Sequence, residues 1–532
     1  MKIESLPLNV FEVVQNNNGL QMYLNNLERG RPATPRSWLY EGKSDTEVLA
    51  LWLDQLKQLN SSENGRLVYQ YEESFLEKFG PQGKIAPLNE LMDLVTEGFR
   101  HAGSPKPELF KSDQWQNAKR IAVKRLFQDT GLYKRLRPRA LEHVVDDMRA
   151  RDTLESNSGY PDFTRRKNPK VLQKAFAAIA DGSYMDFPAI LLFRNYNGKT
   201  RPVWMYPEAT NIVEGSFTQP LKEAMMSTNL AFFAPWKGYD QVKLQQTRDY
   251  ERGYFQSASD FSHTDAFFTK WQILEVYDVI KFAFQERYWP SLKQSLLRVV
   301  EIPLLVGNNL WIRGDHGVSS GSNWTNDVET YMDYIAERYF ESLKLVSSAG
   351  DAIGDDVRHV LSKYNPNFAD QIADLYRQMG FDVNSEKVTN EKTWVKYLQR
   401  LMVNGWLSNY GVEIDGQHYS TFRGVYRTVK ALNSSLNPEK FHSPKLWSVD
   451  MFCVRQFMIL ENCIDHPLFE EFVKFICNGN HHLVEFARET NERINQAQKA
   501  SRLVPSLNPT YNQEKRDKPL SSFESIRIAR RL

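Results

Sequence analysis

Asp260, Asp355 and Asp356 are the residues of this chain whose types and spacing best suit chemistry. Gly354-Asp355-Asp356 sets two acceptor-only side chains at one tight turn. A Gly-Asp pair between β-rich segments predicts a hairpin, with strands over 344–349 and 357–361. Asp260 lies in Ser259-Asp260-Phe261-Ser262-His263-Thr264-Asp265, where a predicted strand over 253–259 ends and a predicted helix over 266–288 begins. Carboxylates brought together from such strand ends suit a hard divalent cation, which takes oxygen ligands and leaves room for phosphates. Two such ions about 4 Å apart drive phosphoryl transfer. The plain alternatives are a surface turn for Asp355 and a helix N-cap for Asp260.

Four further strings could serve the same chemistry. Asp265 offers an acceptor to a ribose 2′-hydroxyl, or is an acid placed by the helix dipole. Gly317-Val318-Ser319-Ser320-Gly321-Ser322-Asn323-Trp324-Thr325-Asn326 lets backbone approach a ligand, with Ser320, Thr325 and Asn326 as polar readers. Its alternative is a loop capping a helix over 323–343, with Ser322 as the cap. Arg194, Lys199 and Arg201 flank the Asn197-Gly198 turn between predicted strands over 189–193 and 202–206; they can grip a triphosphate or simply be solvated. Lys387, after a predicted helix over 367–379, could protonate leaving pyrophosphate or be a surface lysine. Residues 394–400 alternate like a strand.

Composition narrows the class. The chain has 532 residues, 41% hydrophobic and 25% charged, an ordinary globular balance. Net charge is only +2, so positive charge for nucleic acid must be local. Cys453, Cys463 and Cys477 fit no zinc spacing and read as buried free thiols. No apolar run reaches the roughly 20 residues of a membrane span, and none at the N-terminus resembles a signal core. Helices are expected over 45–59, 114–129 and 138–151, and mostly helix after Gly405 until about Lys499. Residues 502–532 read as an extended basic tail carrying Lys515, Arg516, Lys518, Arg527, Arg530 and Arg531, with Tyr511, Phe523 and Ile526 as possible anchors.

In this order the strings resemble the motifs of viral RNA-dependent RNA polymerases. Ser158-Gly159-Tyr160-Pro161 is similar to the motif where template enters, and Lys199-Thr200-Arg201 with Arg194 to the nucleotide-gripping motif. Asp260 and Asp265, then Ser320-Gly321 and Thr325, then Gly354-Asp355-Asp356, match three palm motifs in turn. Residues 380–387, ending in Lys387, are similar to a fourth, and Tyr397-Leu398-Gln399-Arg400 to a primer-contacting fifth. The length and the Gly317–Asn326 string look most like picobirnavirus polymerases, then partitivirus enzymes. The resemblance implies an α+β right-hand fold of fingers, palm and thumb, with an antiparallel palm sheet and mostly helical fingers and thumb. It implies an N-terminal extension over 1–85 bridging fingers and thumb, fingers over 86–252 and a palm over 253–400 with a finger insertion near 289–316. A thumb over 401–500 and a tail over 501–532 complete it.

The resemblance also implies roles. Asp260, Asp355 and Asp356 would hold Mg²⁺ or Mn²⁺, and Lys387 would act as general acid. Arg194, Lys199, Arg201, Asp265, Ser320, Gly321, Thr325 and Asn326 would bind the nucleotide, and Ser158, Gly159 and Arg400 the template or primer. RNA template and product, ribonucleoside triphosphates and viral capsid protein are the implied partners of a monomeric enzyme that meets no membrane. It would work in the virion interior and host cytoplasm, starting chains without a primer. Two departures stand out: Glu329 occupies a position where many relatives have Asn, and Gly350-Asp351 is a second Gly-Asp pair whose acid is structural or a third ligand. A reverse transcriptase and a non-catalytic RNA-binding, capsid-associated protein are the competing readings; Asp265 disfavours the first and the intact acids the second.

Overall fold

The apolar run Ala189-Ile190-Leu191 and the Asn197-Gly198 pair decide the first sheet. In the protein, a computed structural model describing residues 1–261, 263–348, 350–440, 445–504 and 518–532, both turn residues have positive φ (52° and 70°) and close a two-residue hairpin. Numbered along the chain, the strands are β1 (Lys2–Glu4), β2 (Ala189–Tyr196), β3 (Lys199–Met205), β4 (Phe255–Asp260), β5 (Leu304–Gly307), β6 (Leu310–Arg313) and β7 (Asp351–Ile353). There follow β8 (Asp356–Leu361), β9 (Thr389–Asn390), β10 (Trp394–Tyr397), β11 (Arg400–Val403), β12 (Val412–Ile414), β13 (Gln417–Tyr419) and β14 (Val425–Tyr426).

The first sheet runs β1-β6-β5-β2-β3, with β2 parallel to β5. Strand β2 is flanked on both edges, and its apolar start, Ala189 to Leu191, is buried in the core that includes Leu20 and Leu24. The second sheet runs β7-β8-β4-β9 and is antiparallel throughout. Beneath it lies the helix Thr325–Ser342, whose residues from Val328 to Phe340 are all buried. Val328, Tyr331, Met332 and Ile335 pack with Phe261, Ile273, Val357 and Tyr376 in the largest core. Glu329, Asp333 and Glu337 recur every four residues on one stripe of the same helix.

The first 80 residues are divided between two other cores. Leu20 and Leu24 pack with Ile190 and Leu304 of the first sheet. Trp52, Val68 and Tyr71 pack with Phe452, Phe472 and Phe475 of the C-terminal helices. Glu72 fixes that union: its carboxylate accepts the backbone N–H groups of Thr428 (2.7 Å) and Val429 (3.0 Å), at the start of the helix Thr428–Leu436. All three cysteines are free and buried in this last core. Among the described residues, no helix is long and apolar enough to cross a membrane.

Several elements differ from expectation. Residues 344–348 form no strand; Lys344 has φ +60° and the ladder starts at Asp351 (Ala349 lies outside the described residues). The helix expected over 266–288 breaks after Phe267 and restarts at Lys270, because Thr269 and Gln272 form a capping box. The helix beyond the glycine loop starts at Thr325, with Trp324 at its N-cap and no side-chain cap; the Ser322 hydroxyl donates to Glu214 and accepts from Trp324 N (3.0 Å) just ahead of the helix. After Gly405 come three short strands before helix begins at Thr428.

The tail is not simply extended: it forms a helix, Glu524–Arg530, whose first N–H groups, from Glu524 and Ser525, both bond the Glu461 carboxylate at 3.0 Å. Leu520, Phe523 and Ile526 are fully buried there, while Tyr511, Lys515 and Arg516 lie outside the described residues. Emptying the Phe523 site should cost about 3–5 kcal/mol. Chemical denaturation of Phe523→Ala measures it, and a loss below about 1 kcal/mol would show that the helix is not part of the C-terminal core.

Candidate active site

Antiparallel register puts Asp260 directly opposite Asp356, at the end of β4 and the start of β8. Asp355 sits beside them in the turn that joins β7 to β8. Gly354 suits that turn. Its φ is +59°, and a Cβ would come within 2.8 Å of the Asn326 amide nitrogen. Its N–H donates to Thr330 Oγ1 (2.9 Å), so the turn is pinned to the buried helix. Asp260 ends a strand and caps no helix; the next helix starts at Thr264, whose hydroxyl donates to Asp355 Oδ2 (3.2 Å).

The acids crowd one another. Burial, with Asp265 and Asp260 nearby, pushes Asp355 up to about 6. Burial and its neighbours Asp355 and Asp260 push Asp356 well above the carboxylate range. Behind them Glu329 is raised by burial and by Asp265, to which it is hydrogen-bonded. Burial raises Asp265 as well, so neither of these two neighbouring carboxyls ionises as readily as a free one. Further along the stripe, Asp333 accepts from the Tyr376 hydroxyl (3.0 Å), and Glu337 pairs with His359.

Asp351 belongs to a different structure. It is wholly buried and accepts from Arg358 Nε (2.9 Å) and Gln245 Nε2 (3.0 Å), while Arg358 also bonds Asp249 (2.8 Å). Its open choice of roles resolves as a structural one: the second Gly-Asp pair neutralises a buried arginine.

Cations face the acids from three segments. Arg201 and Lys199, both exposed, come from the β2–β3 hairpin. Lys78 leans on the Gly198 turn; burial with Arg427 and Lys199 holds it down, while Asp260 draws it up. Lys430, on the helix Thr428–Leu436, is lowered to about 7 by burial and by Arg427, Lys78, Arg400 and Arg201, and its ammonium donates to Gln399. Lys78, Arg427 and Lys430 escape sequence reasoning because each lies far in sequence from any acidic string. Lys387 is exposed at the end of the short 3₁₀ turn Ser385–Lys387, two residues before β9, the strand that pairs with β4.

Other predicted residues face inward. Arg194 is bound bidentately to Glu439 (2.8 and 2.7 Å) and stacks with Arg201 on Tyr196. Arg400 is buried over the Tyr239 ring at 3.9 Å. Ser158 is buried, its hydroxyl accepting from Thr164 N (3.2 Å), and Gly159 lies against the Tyr206 carbonyl. Thr325 donates to the Ser319 carbonyl, whereas Ser320 and Asn326 are exposed. Gly321 presses on Trp204, where a Cβ would lie 1.6 Å from the carbonyl oxygen.

The donor set suits hard divalent ions: Asp260, Asp355 and Asp356 offer only carboxylate oxygens, and their crowding leaves negative charge for a cation to relieve. Among the described residues, three potential ligand atoms lie within 4.8 Å of one another only at His481, His482 and Glu485; the aspartates do not converge so closely.

Residues 196–417 match the profile of the family described as viral RNA-dependent RNA polymerase. The fold is that of the right-hand polymerases, and the chain is an RNA-directed RNA polymerase, a nucleotidyltransferase. It is similar to a "Potential RNA-dependent RNA polymerase" of human picobirnavirus (strain Human/Thailand/Hy005102/-), 26% identical over 500 residues, covering 87% of this chain and 85% of that protein. Crystal structures of a human picobirnavirus RNA-dependent RNA polymerase and of its insertion-loop deletion mutant share the fold, with TM-scores of 0.81 and 0.77. Each is 22% identical and aligns over 98% of this chain and 99% of its own.

The two Gly-Asp pairs should respond oppositely to substitution. Asp351→Ala leaves Arg358 buried without its partner and should cost about 3–5 kcal/mol. Asp355→Asn removes a repelled charge and, without divalent cation, should stabilise by about 1–3 kcal/mol at neutral pH. Below its unfolded value of 3.8, Asp355 is protonated in both states and the gain is absent. The gain builds as pH rises and is complete above about 6. Denaturation with chelator between pH 4 and 7 checks this, and a gain that stays flat with pH would refute it.

Proposed function

We propose that this chain replicates and transcribes the genome of a double-stranded RNA virus related to picobirnaviruses. It adds ribonucleotides to an RNA 3′ end at a two-metal centre, working inside the virion and in the host cytoplasm in contact with capsid protein. The carrying observation is the register that sets Asp260 against Asp356 with Asp355 in the adjoining turn. In this reading, residues 86–252 are fingers, 253–400 palm and 401–500 thumb.

Mg²⁺ or Mn²⁺ bound by Asp260 and Asp355, with Asp356 in support, would lower the pKa of the 3′-hydroxyl and stabilise the leaving pyrophosphate. Arg201 and Lys199 hold the triphosphate, with Lys78 beside them. Asp265, beside Glu329, receives the ribose 2′-hydroxyl, and Ser320 reads the sugar from the loop. Lys387, just before the strand that pairs with β4, donates the proton that pyrophosphate takes up on leaving. Initiation without a primer would place a second nucleotide near Arg427, just before the helix Thr428–Leu436.

Asp355→Ala with Asp356→Ala should abolish incorporation on an RNA template, and retained wild-type synthesis would end this reading. Mn²⁺ or Mg²⁺ should raise the melting temperature of the wild type and not of that double variant. Primer-free synthesis on single- and double-stranded RNA tests the mode of initiation; product only with a primer would remove that part.

A further inference from the structure

Two loops that the proposed function assigns to different substrates rest on one short stretch of chain. The nucleotide loop, Ser319 to Asn323, and the loop from Asn157 to Gly159 both pack on the end of β3 and the first turns of the helix Glu208–Ser227. Gly321 presses on the Trp204 carbonyl and Gly159 on the Tyr206 carbonyl. Tyr206 is hydroxyl-bonded to Ser319 (2.7 Å), and Glu208 N donates to the Ser158 carbonyl (2.9 Å).

At the centre of this support is Glu214, 1% exposed. One carboxylate oxygen accepts from Asn323 N (3.1 Å) and Asn211 Nδ2 (2.9 Å), and the other from the Ser322 hydroxyl. Asn211 extends the network both ways. Its carbonyl accepts from Asn323 Nδ2 (2.9 Å) and its amide nitrogen reaches the Gly321 carbonyl (3.3 Å). On the other side its amide oxygen accepts from Arg166 (2.8 Å), whose Nε donates to the Asn157 carbonyl (3.0 Å).

We propose that Glu214 is a positioning residue: it sets the nucleotide loop in place and, through Asn211 and Arg166, ties that loop to the one where template enters. The ends of the nucleotide loop have their own anchors, since Ser319 donates to the Val299 carbonyl (2.8 Å) and Thr325 to the Ser319 carbonyl. What Glu214 adds is the placement of Ser322 and Asn323 between them. Burial raises Glu214 to about 7, so its place there is maintained against a desolvation cost, which a purely apolar contact would not incur. The inference rests on the reading that this loop meets the incoming nucleotide.

Steady-state kinetics on the full chain tests it, with melting temperatures taken alongside. Hydrogen bonds to a buried carboxylate are strong enough that Glu214→Ala should raise KM for nucleotide about tenfold and blunt selection of ribo- over deoxyribonucleotides, with kcat moving less. Glu214→Gln keeps an acceptor for Asn323 N and can donate to Ser322, and should restore most of KM. Arg166→Met should raise the template concentration needed, and combined with Glu214→Ala should give less than the product of the single effects. An unchanged nucleotide KM in Glu214→Ala, a Gln variant no better than Ala, or fully multiplicative effects would each overturn the proposal. Ser320→Ala separates the two layers. If it raises nucleotide KM while Glu214→Ala does not, the positioning role alone fails; if neither does, the loop does not meet the nucleotide and both readings fall.

Discussion

Asp260, Asp355 and Asp356 repel one another, and partial burial of Asp355 and Asp356 denies those two the water that would screen the repulsion. Nothing in the local sequence would keep them together. A free hairpin with this turn would splay its acids toward solvent, as surface Gly-Asp turns do. The geometry persists because the hairpin is fixed from outside: β8 pairs along its whole length with β4, and Gly354 hangs on Thr330 of a helix buried nearly all round. That helix in turn needs its own charges satisfied, hence the stripe in which Asp333 meets Tyr376 and Glu337 meets His359. The repulsion at the front is thus opposed by polar pairing and apolar packing behind it.

The same repulsion explains the cations. Lys78, Arg201 and Lys430 repel each other too, and burial lowers two of them. Each group lies in the field of the other, Asp260 acting on Lys78 and Lys430 on Asp356. This arrangement exists only if three remote segments meet. Residues up to about 80 join both the first sheet and the C-terminal helices. Glu72 bonds the backbone at Thr428 and Val429, one turn from Lys430, and Lys78 follows in the same stretch. Arg194 adds a further tie between the β2–β3 hairpin and the C-terminal part of the chain by clasping Glu439. The closed ring of chain is therefore what brings the charges of both signs face to face.

The acids were legible in the sequence because turn chemistry and strand alternation are local. Asp260, Asp355 and the basic hairpin each announce themselves within a dozen residues, and the antiparallel sheet follows from them. The arginines were less legible. Arg194 and Arg400 have the right type and the right neighbours in sequence, yet their guanidinium groups are engaged by Glu439 and by Tyr239 with Asn462. A guanidinium binds whichever carboxylate or ring the fold brings, and that partner is set by tertiary structure. The helix expected after Asp260 failed for the opposite reason: a strong local cap at Thr269 interrupted a convincing apolar period.

Gly350-Asp351 and Gly354-Asp355 show how far a motif can be read before structure is needed. Both are Gly-Asp pairs, four residues apart, at the two ends of one short strand. Asp351 stands opposite Arg358 across the β7–β8 ladder, and Arg358 is buried with no route to water. A buried guanidinium must have a carboxylate, so Asp351 is committed before any ligand arrives. Asp355 is in the turn, beyond the reach of Arg358, facing two other acids and one threonine hydroxyl. One pair completes a buried salt bridge and lowers the energy of the empty fold. The other leaves a charge unanswered, and an unanswered buried charge is what gives a protein differential affinity for the cation that answers it.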